Sequence, residues 1–343
     1  MMPATLADVA RLAGVSSATA SRVINGSPKP VREALRQRVL RAVEELRYVP
    51  NAQARMLARA ERGAIGVIVH DVSDPYFAEI TRGLQRVAVA HGTLLVICNS
   101  YREPARERDY VELLGAQRVA VIVLAGSGYH DPKASAALAG SLQQYESGGG
   151  RVVVIGRHEL PGDAVLPANL DGAREAGAYL YGLGHRNIGV IAGPRELTTT
   201  SDRLTGLRQA SRAAGTTVPP RRIAYTDYTR NGGYHAAMAL LDAEPSITAL
   251  LAHNDWLAIG ALAAARERGL VVPDDLSVVG FDDMPVASDV TPPLTTVRLP
   301  LEEIGARALT LALGAHPAGR PQVETVPAEL VVRGSAGLPR SNR

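Results

Sequence analysis

The residues whose types and spacing point most directly to a chemistry lie between Thr5 and Asn25. On a helix opening at Ser16, the side chains Ser17, Ala18, Ser21, Arg22 and Asn25 fall on one side, and Ala20, Val23 and Ile24 on the other. Small side chains let a helix press close to a surface, the hydroxyls of Ser16, Thr19 and Ser21 suit phosphate oxygens, and an arginine can fork onto guanine O6 and N7. Arg22 is the candidate for that fork, with Ser17 and Ala18 suited to close approach and to thymine methyls. Just upstream, Thr5 with Asp8 three positions later is a helix-start signal. Leu6, Val9, Ala10 and Ala13 then form one apolar stripe, and Gly14-Val15 supplies a turn. Two short helices joined this way read as a helix-turn-helix, with Thr5 and Leu6 among the expected DNA contacts. The plainer alternative is an alanine-rich helical hairpin with a solvated face.

A second set of such residues closely follows short apolar runs: His70, Tyr76, Phe77, Ser127, Arg203, Tyr228, Asn254 and Asp282. In a doubly wound α/β lobe, ligands sit beyond the carboxyl ends of the strands. Tyr76, Phe77 and Tyr228 offer rings to stack on a sugar face or a base. The plainer readings are that Phe77 is core and that Asp282-Asp283 caps a helix. Trp256 either lines the cleft or packs beside it.

These two sets must be positioned by different elements. At 343 residues the chain is too long for one core. From Gly63 onward β-rich runs alternate with helical stretches, the mark of parallel βαβ units. Strands are expected over Ala64–His70, Thr93–Cys98, Val119–Leu124, Val152–Ile155, Asn187–Ile191, Ile223–Tyr225, Thr248–His253, Leu276–Phe281 and near Glu329–Arg333, with helices between them. The fold class is therefore an all-α helix-turn-helix head plus two doubly wound parallel-sheet lobes of periplasmic-binding-protein type, closing on a small ligand. The expected boundaries are a head over 1–50, a hinge over 51–62, and an effector-binding and dimerisation domain over 63–343. Its N-lobe covers about 63–158 plus 298–325, and its C-lobe about 159–297 plus 326–335.

Charge agrees with that division. Residues 1–62 hold eleven Lys/Arg against five acids, so the head carries +6 of a net +3 and the remainder −3. A basic head on a mildly acidic body suits a polyanion bound at one end. Cys98 is the only cysteine, which rules out an intrachain disulfide and a thiolate metal cluster, and it reads as a buried strand thiol rather than a nucleophile. No apolar run approaches a membrane span and the N-terminus lacks a leader pattern, so a cytoplasmic protein is expected. There is no HExxH, GxSxG or Walker loop, and Gly126-Ser127-Gly128 is too short for a dinucleotide fingerprint. Neither catalysis nor a metal nor a cofactor is expected.

The run Thr5-Leu6, Asp8-Val9-Ala10, Ala13-Gly14-Val15-Ser16, Thr19 and Ser21-Arg22-Val23-Ile24-Asn25 resembles the DNA-binding signature of the LacI/GalR family of bacterial transcriptional regulators. The resemblance continues through Asp74-Pro75-Tyr76-Phe77, Gly184-His185-Arg186-Asn187-Ile188, Asn254-Asp255, Ser277–Asp283 and Pro293–Val297, covering nearly the whole chain. It implies a regulator bound as a homodimer to palindromic double-stranded operator DNA and controlled by a small-molecule effector. It also implies that Asn51–Ala58 is a hinge helix at the DNA, with Asn51 near the duplex, Ala54 at the close contact between the two hinges and Leu57 wedged into the minor groove. Arg203, Asn254 and Asp282 become the polar arms for the effector. A guanidinium, an amide and a carboxylate together bond adjacent hydroxyls, which favours a sugar. Two departures stand out. Arg32 and Leu35 replace a usual serine and threonine, removing a helix cap. Gly156-Arg157 stands where many members have an acid, with His158 and Glu159 as nearby substitutes, so a purine or nucleoside effector stays open. A transporter solute-binding protein is the reading from another class.

Overall fold

The structure is a computed structural model describing residues 4–25, 30–48, 63–160, 162–314 and 321–340. The expected hinge contacts Asn51, Ala54 and Leu57 lie outside the described residues. The chain divides into a unit Met1–Gly63 and a unit Ala64–Arg343.

In the first unit, α1 (Leu6–Ala13), α2 (Ser17–Ile24) and α3 (Glu33–Glu45) enclose a small core of Val9, Ala10, Ala13, Ala20, Val39 and Ala42. The first two starts have a local cause. The Thr5 hydroxyl accepts the Asp8 N–H at 3.3 Å while Asp8 Oδ2 accepts the Thr5 N–H at 3.0 Å, a reciprocal capping box. Gly14 ends α1 at φ 62°, left-handed backbone that a glycine adopts without strain. Ser16 then caps α2. Arg32 stands at the start of α3 and makes no side-chain cap, so the departure at this position costs the helix a cap.

The second unit contains two six-stranded sheets. The chain builds β1 (Ile65–Val69), α4 (Pro75–Ala90), β2 (Leu95–Asn99), α5 (Pro104–Ala116), β3 (Val121–Ala125), α6 (Pro132–Ser147), β4 (Arg151–Ile155) and β5 (Asp163–Pro167). It then crosses into α7 (Asn169–Gly182), β6 (Ile188–Ala192), α8 (Thr198–Ala213), β7 (Ile223–Tyr225), α9 (Arg230–Ala243), β8 (Ala249–Ala252), α10 (Asp255–Glu267), β9 (Ser277–Asp282), α11 (Val286–Asp289) and β10 (Thr295–Arg298). It returns through α12 (Leu301–Leu313) to β11 (Val323–Val326), and finishes in the second sheet with β12 (Glu329–Val331).

The first sheet runs β11-β5-β4-β3-β1-β2, all parallel; the second runs β12-β10-β9-β8-β6-β7, parallel except for β12. β1 and β3 are buried along their whole length, because helices cover both faces and central parallel strands then read as unbroken apolar runs. On one face of the first sheet Ile80, Leu84, Ile304 and Leu309 join a core that continues into the second lobe; on the other, Val111, Leu114, Leu138 and Leu142 pack beneath α5 and α6. The helices α4 and α12 meet backbone to backbone. A Cβ on Gly83 would strike the Glu302 carbonyl, and one on Gly305 the Ile80 carbonyl.

One boundary differs from the sequence reading. The first lobe does not end at residue 158, since β5 pairs with β4 and β11 in the first sheet. The sequence hid it because Pro161-Gly162 precede it and Pro167 ends it, all turn signals. Cys98 lies half-buried in the edge strand β2, and burial pushes its thiol up.

Candidate functional site

The head presents the α2 face that the sequence singled out. Ser17, Ala18 and Arg22 are exposed, and Arg22 has no protein partner among the described residues. The other hydroxyls are partly committed. Ser16 Oγ accepts the Thr19 N–H at 3.1 Å and lies 2.9 Å from Thr19 Oγ1, while Ser21 Oγ accepts Asn25 Nδ2 at 3.0 Å. Thr5 is held in its capping box and Leu6 packs on the head core. What the face offers a partner is thus a free guanidinium on a helix with small neighbours.

In the second unit all eight residues taken from strand ends surround one cavity between the lobes. His70, Tyr76, Phe77 and Ser127 come from the first lobe, and Arg203, Tyr228, Asn254 and Asp282 from the second. The topology explains the convergence, because parallel strands in both sheets end on the cleft side. Asp74, Arg102, Gly126, Leu197 and Thr199 complete the lining. The signals for two of these were present: Asp74 caps α4 through the Tyr76 N–H at 3.1 Å, and Arg102 follows β2 as His70 follows β1. Trp256 is half-buried and outside the lining, so it packs beside the cleft.

Arg203 organises the floor. Its Nε donates to Asn169 Oδ1 at 2.9 Å, one terminal nitrogen donates to the His253 carbonyl, and the other to Asp282 Oδ1 at 2.9 Å. Its guanidinium also lies 3.7 Å from the centre of the Phe281 ring. Burial pushes the Asp282 carboxyl up to about 7 against the pull of Arg203. Asp282 does not cap the next helix, which begins after Pro285; its backbone is left-handed at φ 105°, outside the usual range for a side-chain-bearing residue. Asn254 Oδ1 accepts the Leu257 N–H at 2.9 Å, so its amide N–H pair is what remains for a ligand.

The aromatic wall is tied in as well. Tyr76 and Phe77 meet edge to face with centroids 5.0 Å apart, and Phe77 belongs to the core while also lining the cavity. Tyr228 bonds Thr200 at 3.2 Å. Behind His70, the buried Glu107 accepts Tyr129 at 3.0 Å and Ser100 at 3.3 Å, with His70 Nε2 3.3 Å away.

At the rim, the lobes are bonded to each other. Ser127 Oγ donates to Thr199 Oγ1 at 2.6 Å, the Thr198 N–H donates to the Gly128 carbonyl at 2.9 Å, and Arg157 forks onto Asp202 at 2.7 and 3.0 Å. Arg157 therefore bridges the lobes and lies outside the cavity lining. His158 does not take over as a polar arm, because its Nε2 bonds the Gly126 carbonyl at 3.0 Å, and burial lowers its pKa to about 4. With Glu159 it lines a separate, smaller cavity.

Comparison with known proteins decides what this pairing of head and cleft belongs to. The profile of bacterial regulatory proteins of the lacI family matches residues 5–51, and that of the periplasmic binding protein-like domain matches residues 178–336. The chain is 36% identical over 340 residues to the HTH-type transcriptional repressor CytR of Escherichia coli strain K12, covering 97% of this chain and 96% of the repressor. The chain belongs to the LacI family. As a LacI-family protein it is a ligand-responsive, DNA-binding transcriptional regulator. It is also 37% identical over 334 residues to the regulator GalR of the same strain, covering 96% and 94% of the two chains. Among solved structures, a Lac repressor dimer bound to operator and the anti-inducer ONPF superposes with a TM-score of 0.85 at 29% identity, covering 98% of this chain and all of that one. A complex of the regulator CelR with cellobiose gives 0.72 at 32% identity, over 97% and 99%. No helix among the described residues is long and apolar enough to cross a membrane.

Proposed function

We propose that this LacI-family regulator is a dimeric cytoplasmic repressor of carbohydrate-use genes, released from a palindromic operator when a sugar enters its cleft. The observation that carries the sugar reading is the cavity itself. An amide donor in Asn254, a carboxylate in Asp282 and the hydroxyls of Ser127 and Thr199 line it beside three aromatic rings. That is a pattern of donors and acceptors for adjacent hydroxyls with platforms for a ring face. Nothing in it calls for turnover of the ligand. A purine or nucleoside effector is the second reading, favoured because Arg157 is drawn off to Asp202 and leaves no acid at that wall.

In the head, spanning 1–50, Arg22 reads a guanine, Ser17 and Ala18 approach base edges, and Thr5, Leu6, Ser16, Thr19, Ser21 and Asn25 set the position on the phosphates. In the hinge, 51–62, Asn51 sits against the DNA, Ala54 makes the close contact between the two hinges and Leu57 wedges into the minor groove. Support for pairing comes from the edge of the first sheet, where Leu94, Val96 and Ile97 are exposed with Val89 nearby in sequence, an apolar edge that a second copy would cover. The test is fluorescence anisotropy of a labelled duplex carrying the chain's own upstream DNA at fixed salt, with and without a panel of mono- and disaccharides. A saccharide that weakens binding at least about tenfold is expected, matching a coupling of roughly 1–3 kcal/mol. A response to nucleosides and to no saccharide would transfer the proposal to the second reading.

A further inference from the structure

Among the described residues, Arg102 is the one cavity-lining arginine whose hydrogen-bonding capacity is left unused. Arg203 is spent on Asn169, His253 and Asp282. Arg102 by contrast makes no hydrogen bond or ion pair among the described residues, and its Nε is buried without an acceptor. Its one marked contact is the Tyr228 ring, 5.6 Å from the guanidinium carbon. A buried donor of this kind is destabilising while it stays unpaired.

The backbone holds it there at further cost. Tyr101 and Arg102 are both left-handed, at φ 53° and 61°, a conformation that side-chain-bearing residues rarely adopt twice running. This double turn follows β2 and carries the chain to the cavity. The carboxylate closest to compensating Arg102 is Asp74, which feels its charge but forms no ion pair with it and spends Oδ1 on the Tyr76 N–H. Asp74 can take up a proton, and burial already pushes its carboxyl upward; a guanidinium cannot give one up.

Resting on the reading of this cleft as an effector site, we propose that Arg102 selects the effector, and that the effector carries an anionic oxygen, in a carboxylate or a phosphate, on a hydroxylated body. Arg102 forks onto that group while Tyr228, against which it lies, faces the ring. Asn254 and Asp282 take the hydroxyls. A neutral sugar could offer the Arg102 Nε a hydroxyl oxygen, but neither the countercharge nor the paired acceptors that a forked guanidinium fits.

The experiment is calorimetric titration of the full chain with two matched pairs, glucose against glucuronate and ribose against ribose 5-phosphate, at constant ionic strength. The charged member of at least one pair should bind about tenfold or more tighter than its neutral twin, the responding pair identifying carboxylate or phosphate. In Arg102→Asn, which tolerates left-handed backbone, that advantage should fall to within about twofold; Arg102→Lys, retaining charge without the fork, should keep part of it. Equal affinities within both pairs, an undiminished advantage in Arg102→Asn, or no binding by any of the four overturns the proposal. Operator anisotropy on the same samples separates the two levels. A neutral sugar that releases DNA equally from the native chain and from Arg102→Asn would sustain the effector reading and defeat the role of Arg102.

Discussion

The recognition face of the head and the cleft of the body use the same residue types under opposite conditions. On α2, Arg22 stands exposed with no protein partner, and the hydroxyls around it belong to short local caps. In the cleft, Arg203 is 2% exposed and holds together strand ends that lie far apart in sequence. The head can therefore lose a contact residue and stay folded, whereas the floor of the cleft is part of the fold. Binding and stability are separable in one region and coupled in the other.

The sharpest way to break that contrast is Arg203→Met. It leaves Asp282, 3% exposed, and Asn169 without their partner, so a loss of about 3–5 kcal/mol in urea unfolding is expected. Arg22→Ala should leave the unfolding midpoint within about 0.5 kcal/mol while costing about 1–3 kcal/mol of operator affinity and relaxing choice at one guanine per half-site. Equal stability losses in the two variants would erase the distinction.

Acidity sharpens it next. The Asp282 carboxyl is raised from the usual carboxylate range to about 7, so between about pH 4 and 7 the folded protein holds a proton there that the unfolded chain has released. Its contribution to stability is full at the acid end of that window and declines as pH rises toward 7. The stability difference between the native chain and Asp282→Asn should therefore shrink across that range and level off above it. Unfolding curves at pH 5, 6, 7 and 8 measure it, and a difference that grows with pH would mean that the Arg203 ion pair outweighs burial.

How much was legible in the sequence follows the same division. The head is local: caps, stripe and turn lie within about twenty residues, so Thr5, Gly14 and Ser16 could be read directly. The cleft is non-local, yet the strand-end rule found His70, Ser127, Arg203, Asn254 and Asp282, because parallel sheets send all such ends to one side. It missed Arg102 after β2, and it missed Thr199 although Arg203, one turn further along the same helix, was read. The partner of Arg157 was beyond reach, since Asp202 meets it only once two lobes are placed together. β5 and β11 escaped because one is framed by prolines and the other is a short, mostly exposed edge strand.

The smallest expected effect concerns that unanticipated pair. Arg157 and Asp202 sit on opposite lobes, and the fork between them joins the Ser127–Thr199 and Thr198–Gly128 bonds in holding the cleft shut. Arg157 is 41% exposed, so solvent screens the pair and its worth is about 1 kcal/mol or less. Such a term still matters to a closing cleft, because a ligand that binds the closed form loses affinity in proportion to the fraction of molecules left open. Arg157→Ala should weaken effector binding by about twofold to fivefold with little change in the urea midpoint, and the exchanged pair Arg157→Asp with Asp202→Arg should recover most of that loss. Calorimetry with the effector found by the operator assay measures both. Unchanged affinity in Arg157→Ala would mean that the remaining bonds between the lobes close the cleft unaided, and that the departure from an acid at this position alters what the cavity can hold without altering how it shuts.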